Sequence, residues 1–199
     1  KKAKNFSNTK QKSGLGKENR SVPHSFDYDL LVIGSGPGGH RAAIQAAKLG
    51  KRVALAEKNA MVGGLCVHTG TIPSKTLREA ALHLTGYQER SIYGASYTVK
   101  EDITMSDLLR RAHYVINHEQ DVLCHQLRRN NIDIIAGEAQ FLDPHTLNIS
   151  GASSSASRTI TADNILIATG TKTARDRKIV FDGEYIFTSD DLLDIQHLP

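Results

Sequence analysis

Four glycines lie within six residues, in Gly34-Ser35-Gly36-Pro37-Gly38-Gly39, and an acid follows at Glu57, 21 residues after Gly36. This spacing fits a turn that binds a pyrophosphate. Gly34 permits a tight turn, Gly36 lets an anion approach the backbone, and Gly39 lets a helix pack close to a strand. Gly38 opens that helix, whose free N–H groups and partial positive charge attract phosphates. Glu57 falls where an acid meets ribose hydroxyls. A glycine turn that merely packs would have no use for it. A second set of reactive types follows in Cys66, His68, Thr71 and Lys75.

Such residues need elements to hold them. Residues 29–34 form a short apolar run, as a buried parallel strand requires. A helix is predicted at 38–49, rich in alanine, and a second strand at 52–57. Strand, glycine turn, helix, strand and acid in that order predict dinucleotide binding. Further strands are predicted near 132–135 and 164–168, a small antiparallel meander near 138–161, and helices near 73–88 and 106–129. Ser106-Asp107 opens the last helix, and its apolar stripe, including Leu109, Ala112, Ile116, Leu123 and Leu127, reads as core packing. Residues 190–199 read as a short helix and a linker. The serine-rich stretch at 150–161 reads as a hairpin loop.

The segment Gly63-Gly64-Leu65-Cys66-Val67-His68-Thr69-Gly70-Thr71-Ile72-Pro73-Ser74-Lys75 resembles the redox-active segment of the flavin-dependent pyridine nucleotide–disulfide oxidoreductases. The family pattern there is G-G-x-C-x4-C-x2-S/P-S-K, with both cysteines joined in a disulfide against the flavin. Ile165-Leu166-Ile167-Ala168-Thr169-Gly170 resembles the family strand that ends in A-T-G and touches FAD. Gly137-Glu138-Ala139 resembles the stretch whose backbone meets the adenine. The resemblance implies a three-layer, Rossmann-like α/β FAD-binding domain with a small antiparallel β-meander. It implies FAD contacts from Gly34, Gly36, Gly38, Gly39, Glu57, Lys58, Gly63, Gly64, Cys66, Thr69, Lys75, Ala139, Ala168, Thr169 and Gly170.

One position departs from the disulfide pattern. Thr71 stands where the second cysteine belongs, and dithiol exchange needs an attacking and a resolving thiol. The other thiol, Cys124, lies among apolar residues at helical spacing and reads as a small packing residue. The stretch from Cys66 to Ala80 is similar to the soluble pyridine nucleotide transhydrogenase branch, which carries Thr at this position. The implied chemistry moves hydride from NADPH through FAD to NAD+. Lys75 would stabilise the reduced flavin, paired with a glutamate beyond Pro199. Cys66 would be either a retained packing residue or a thiolate that donates charge to the oxidised flavin. Two other readings stand: a flavin reductase of the same superfamily with another non-disulfide acceptor, or a nucleotide-binding module without turnover.

Charge and composition bound the remaining classes. The chain has 199 residues, with 25 Lys+Arg and 21 Asp+Glu. Residues 1–22 hold seven of the basic residues and one acid, leaving 18 basic and 20 acidic residues elsewhere. The basic pI thus belongs to a tail, predicted to be disordered, and a basic nucleic-acid docking face is excluded. The tail lacks the apolar stretch of a secretory signal. No stretch is apolar enough to span a membrane. Two distant cysteines indicate a reducing, cytoplasmic setting. His113, His118 and His125 do not share i, i+4 spacing, and no metal motif occurs. Residues 23–199 read as the N-terminal segment of the FAD domain. The family's NAD(P)-binding and dimerisation domains would lie beyond it, in a parent that is a homo-oligomer.

Overall fold

The structure is a computed structural model and describes residues 25–97, 99–151 and 157–198. The basic tail and the centre of the serine-rich loop lie outside the described residues. The chain runs β1 (Tyr28–Ile33), α1 (Pro37–Lys48), β2 (Val53–Glu57), α2 (Gly64–His68), α3 (Thr71–Thr85), α4 (Arg90–Tyr93), α5 (Met105–Arg129), β3 (Asp133–Ala136), β4 (Glu138–Asp143), β5 (Thr146–Ser150) and β6 (Ser157–Ile167), with a short 3-10 helix at Ser189–Leu193.

The strands form one sheet in the order β3-β2-β1-β6-β5-β4. β3, β2, β1 and the second half of β6 are parallel. The first half of β6 pairs antiparallel with β5, and β5 with β4, giving the meander. Alternation along β1 and β2 explains the layers, because successive side chains point to opposite faces. Val32, Val53 and Leu55 join Ala43 of α1 and Ile116, Leu123 and Leu127 of α5 in one core. Leu31, Ala54 and Ala56 join Leu147, Ile149 and Ile160 of the meander in another. The parallel sheet is therefore a middle layer between helices and meander. Both faces being covered, every residue of β2 is buried.

Helix α5 starts in a capping box. The Thr104 hydroxyl accepts from the Asp107 N–H, and the Asp107 carboxylate accepts from the Thr104 N–H at 2.9 Å. Its buried face serves two clusters: Met105, Leu109 and Ala112 pack with Leu77 of α3, while Ile116, Leu123 and Leu127 back the sheet. Cys124 packs, partly buried, against this second cluster.

Several elements differ from the sequence reading: α3 covers Thr71–Thr85 where 73–88 was expected, α4 was not expected, and the loop expected over 150–161 gives way to strand at Ser157. Helix α1 begins at Pro37, whose fixed φ suits the first helical turn. A five-residue helix, α2, carries Cys66 inside the segment between the glycines. The last strand of the meander and the last parallel strand are one continuous 11-residue strand, β6. Thr161 ends its pairing with β5 and Ala162 begins its pairing with β1.

Candidate functional site

The carboxyl ends of the parallel strands converge. Backbone bonds of 2.8 Å tie Gly34 N–H to Ala56 O, Gly137 N–H to Glu57 O, and Ala168 N–H to Ile33 O. In open α/β sheets this end forms the crevice that receives ligands. Gly34, Glu57, Gly137 and Ala168, which are far apart in sequence, meet here.

The four glycines of the turn have two distinct jobs. A Cβ on Gly39 would stand 2.0 Å from the Gly34 carbonyl oxygen, and one on Gly34 would stand 2.4 Å from Ala168 O. These two permit backbone-to-backbone packing. A Cβ on Gly36 or Gly38 would meet nothing within 4 Å. These two leave open room above the start of α1, which no side chain caps. That room is what a pyrophosphate needs against helix N–H groups. Gly64 lies against the same turn, since a Cβ there would stand 2.8 Å from Gly36 Cα. The loop that begins the Cys66 segment is thus packed onto the glycine turn.

Glu57 is buried at the tip of β2, and the chain itself uses it. Ser35 donates to Glu57 Oε2 from both its N–H (2.9 Å) and its hydroxyl (2.6 Å), and Asn59 N–H donates to Oε1 at 2.9 Å. Gly63 N–H then donates to the Ser35 hydroxyl oxygen at 2.9 Å. The expectation that a turn which merely packs has no use for Glu57 is therefore corrected: the acid holds the turn and its neighbouring loop together. Burial raises the Glu57 pKa, but hydrogen bonds from the Ser35 side chain and from the Asn59, Ser35 and Lys58 N–H groups outweigh it, and the net shift is downward.

His40, on α1, is also buried. Its Nδ1 lies 3.0 Å from Gly36 O, an acceptor, so this nitrogen carries the proton. Burial lowers its pKa from the ordinary 6.5, against the opposing effect of the Gly36 carbonyl. Both shifts act on stability with the same sign. A group whose folded pKa is lowered binds more protons when unfolded, so its contribution is whole above the unfolded pKa and is lost as pH falls. The urea midpoint should stay flat between about pH 7 and 9, below the range in which Tyr28, whose pKa burial raises, begins to matter. It should fall below 6.5 as unfolded His40 protonates, and again below 4.5 as unfolded Glu57 does. His40→Gln should remove the upper step alone. A midpoint that rises between pH 7 and 4 would contradict both assignments.

The α2–α3 junction holds two unsatisfied polar atoms. His68 Nε2 contacts Val62 O at 2.9 Å, and a carbonyl accepts, so Nε2 bears the proton. His68 Nδ1 and Thr69 Oγ1 are buried without a partner among the described residues. A ligand entering beside α2 could satisfy them, as buried polar groups require. Cys66 is half-buried on α2, and Thr71 begins α3. Lys58, Lys75, Thr169 and Gly170 are exposed, and Ala139 is partly buried against the meander core. The open glycines, the uncapped helix and the orphaned Thr69 hydroxyl fit the FAD that the resemblance implies. Among the described residues, no group of three His, Cys, Asp or Glu could hold a metal ion. No described helix is long and apolar enough to cross a membrane.

Ser35 is the residue that sequence reasoning missed. The signal was a hydroxyl between two turn glycines with an acid at the end of the next strand, but nothing local shows that these three groups meet.

Comparison with known proteins agrees with this geometry. Residues 28–198 match the family model described as pyridine nucleotide-disulphide oxidoreductase. The soluble pyridine nucleotide transhydrogenase of Mycobacterium tuberculosis (strain ATCC 25177 / H37Ra) is 54% identical over 173 residues, covering 87% of this chain and 37% of that protein. The protein of the same name from Escherichia coli O9:H4 (strain HS) is 38% identical over 178 residues, covering 89% and 38%. Among solved structures, the HOCl-induced flavoprotein disulfide reductase RclA from Escherichia coli superposes with a TM-score of 0.68 at 31% identity, over 86% of this chain and 35% of that one. The chain spans only 37–38% of the length of these two curated relatives. With the family model covering almost every described residue, this chain belongs to the pyridine nucleotide-disulphide oxidoreductase family.

Proposed function

We propose that residues 23–199 are the N-terminal segment of the FAD-binding domain of a soluble transhydrogenase. The parent moves hydride from NADPH to NAD+, and its NAD(P)-binding and dimerisation parts lie outside this chain. The carrying observation is Thr71. Cys66 and Cys124 are both free, and Cys124 lies in α5 against the core. No described pair of thiols stands ready to exchange with a substrate disulfide. The curated relatives, named as transhydrogenases, support the same reading.

FAD, when bound, accepts a hydride from one nicotinamide and yields it to another. The residues of this chain bind and orient. Gly36, Gly38 and the N-terminal N–H groups of α1 would receive the pyrophosphate, and Glu57 the adenosine ribose. The backbone at Ala139 would lie beside the adenine. Gly63, Gly64, Thr69, Ala168, Thr169 and Gly170 would line the path to the isoalloxazine. Cys66 and Lys75 would stand nearest the ring, the lysine stabilising negative charge there. Lys58 would lie at the adenosine end.

RclA, a disulfide reductase, supplies the competing reading. The two separate on the full-length protein, assayed with NADPH against an NAD+ analogue and against small disulfides. Analogue reduction with negligible disulfide reduction is expected. Robust disulfide reduction without analogue reduction would sink the proposal.

A further inference from the structure

We propose that the cavity between α1 and α5 is an anion site separate from the nucleotide crevice, and that it takes a phosphate group, free or as a small phosphate ester. None of its lining residues belongs to the crevice.

Arg41, Gln45 and Lys48 of α1 face Gln126, Arg129 and Asn130 at the end of α5 around a volume of about 220 Å³. Residues three and four apart share one side of a helix, so each helix presents its trio together. Ile44 also lines the cavity and packs into the core, which fixes α1 at this place. Asn130 Nδ2 donates to Gln126 O at 2.7 Å and closes the end of α5.

The lining carries three positive charges and no acid. Helix α1 has no acidic residue along its length, and none of the three cations makes an ion pair among the described residues. Glu119 shares the side of Gln126 but stands two turns earlier, about 10 Å along the axis, and does not line the cavity. Cations in a last helical turn answer the partial negative charge of its carbonyls, which accounts for Lys48 and Arg129. It does not account for Arg41, which sits near the positive end of α1. Like charges around one cavity repel, and an oxyanion among them replaces repulsion with attraction. The two arginines offer planar forks that match paired phosphate oxygens, and the lysine adds a point charge. The volume is smaller than the roughly 300–1,000 Å³ of sites that enclose drug-sized molecules. It suits one phosphate group and not a dinucleotide.

The test uses the full-length protein as isolated, at low ionic strength because salt screens exposed charges. Calorimetry follows inorganic phosphate and adenosine monophosphate binding to the wild type and to the double variant Arg41→Gln, Arg129→Gln. Both arginines are exposed, so the variant folds as the wild type does. The wild type should hold one phosphate that the variant binds at least about tenfold more weakly. Tighter binding of adenosine monophosphate than of phosphate assigns the site to an ester. Equal or weaker binding assigns it to the free ion. Equal phosphate binding by the two proteins overturns the inference, as does a wild type that binds no phosphate below about 10 mM. A tetra-aspartate peptide that displaces the phosphate and loses its own binding in the variant also overturns it, in favour of an acidic protein segment. Flavin content is read separately: a protein without FAD that still shows the phosphate difference removes the flavin reading and leaves this site standing.

Discussion

Gly39→Ala should abolish the folded state, while Gly36→Ala and Gly38→Ala should leave stability near the wild type and lose the dinucleotide. The neighbours of each glycine decide this. A methyl on Gly39 would stand 2.0 Å from Gly34 O and 3.2 Å from Val32 Cγ1. The carbonyl shares a peptide plane with Ser35 N–H and cannot swing away without disturbing the bond from Ser35 N–H to Glu57 Oε2. Gly34 itself is doubly restricted, since its φ is +101° and a methyl would meet Ala168 O. Overlap of this kind with backbone costs more than about 4 kcal/mol, a large share of the roughly 5–15 kcal/mol that holds a domain together. Gly36 has φ of −60°, open to any residue, and Gly38 lies inside α1, where alanine is favoured over glycine by about 1 kcal/mol. Their methyls would enter only the space assigned to the pyrophosphate. Thermal unfolding paired with FAD titration of the full-length protein checks the division. A well-folded Gly39→Ala protein, or a Gly38→Ala protein with undiminished FAD affinity, would refute it.

The second large effect is Leu127→Ala, which should lower stability by about 2–5 kcal/mol. Leu127 is fully buried at the end of α5, in the cluster that holds Val32, Val53 and Leu55. Those residues lie directly behind the crevice, on the strands that end in the turn and in Glu57. Truncation leaves a cavity that the sheet and α1 cannot both close, because each is fixed by its own hydrogen bonds. Leu142→Ala, at a position 59% exposed, should change stability by less than about 0.5 kcal/mol. Urea unfolding of both variants gives the comparison. Equal midpoints would mean that α5 does not brace the sheet.

The ease of reading this chain followed the distance over which its signals act. β1, the glycine turn, α1 and β2 occupy consecutive residues, and the apolar runs of two-sided buried strands are hard to mistake. The long stripe of α5 was equally plain, and Cys124 packs as its helical neighbours implied. Helix α2 was hidden because glycines flank it on both sides and only five residues form it. The first part of β6 was read as loop because residues 157–164 are mostly Ser, Thr, Ala and polar types, with no apolar run to show that one strand crosses from the meander into the middle layer. The bonds from Ser35 to Glu57 and from Gly63 to Ser35 span 22 and 28 residues, and no periodicity reaches that far. Family resemblance pointed to the crevice, but it could not show that Glu57 is bonded into the fold by Ser35 and Asn59.

The place of β6 beside β1 also sets the order in which the chain can assemble. β1 pairs with β2 across a short connection, so this pair of the six strands can form as soon as its residues leave the ribosome. Its other edge must wait for a partner about 134 residues later, the separation of Asp27 and Thr161 where the two strands are stitched together. At roughly 5–20 residues per second, that wait lasts about seven to twenty-seven seconds. Throughout it, an apolar strand edge beside the nucleotide turn lacks its neighbour. An emerging chain therefore passes through a stage in which the glycine turn already exists but Ala168, which closes over Gly34, has not yet been made.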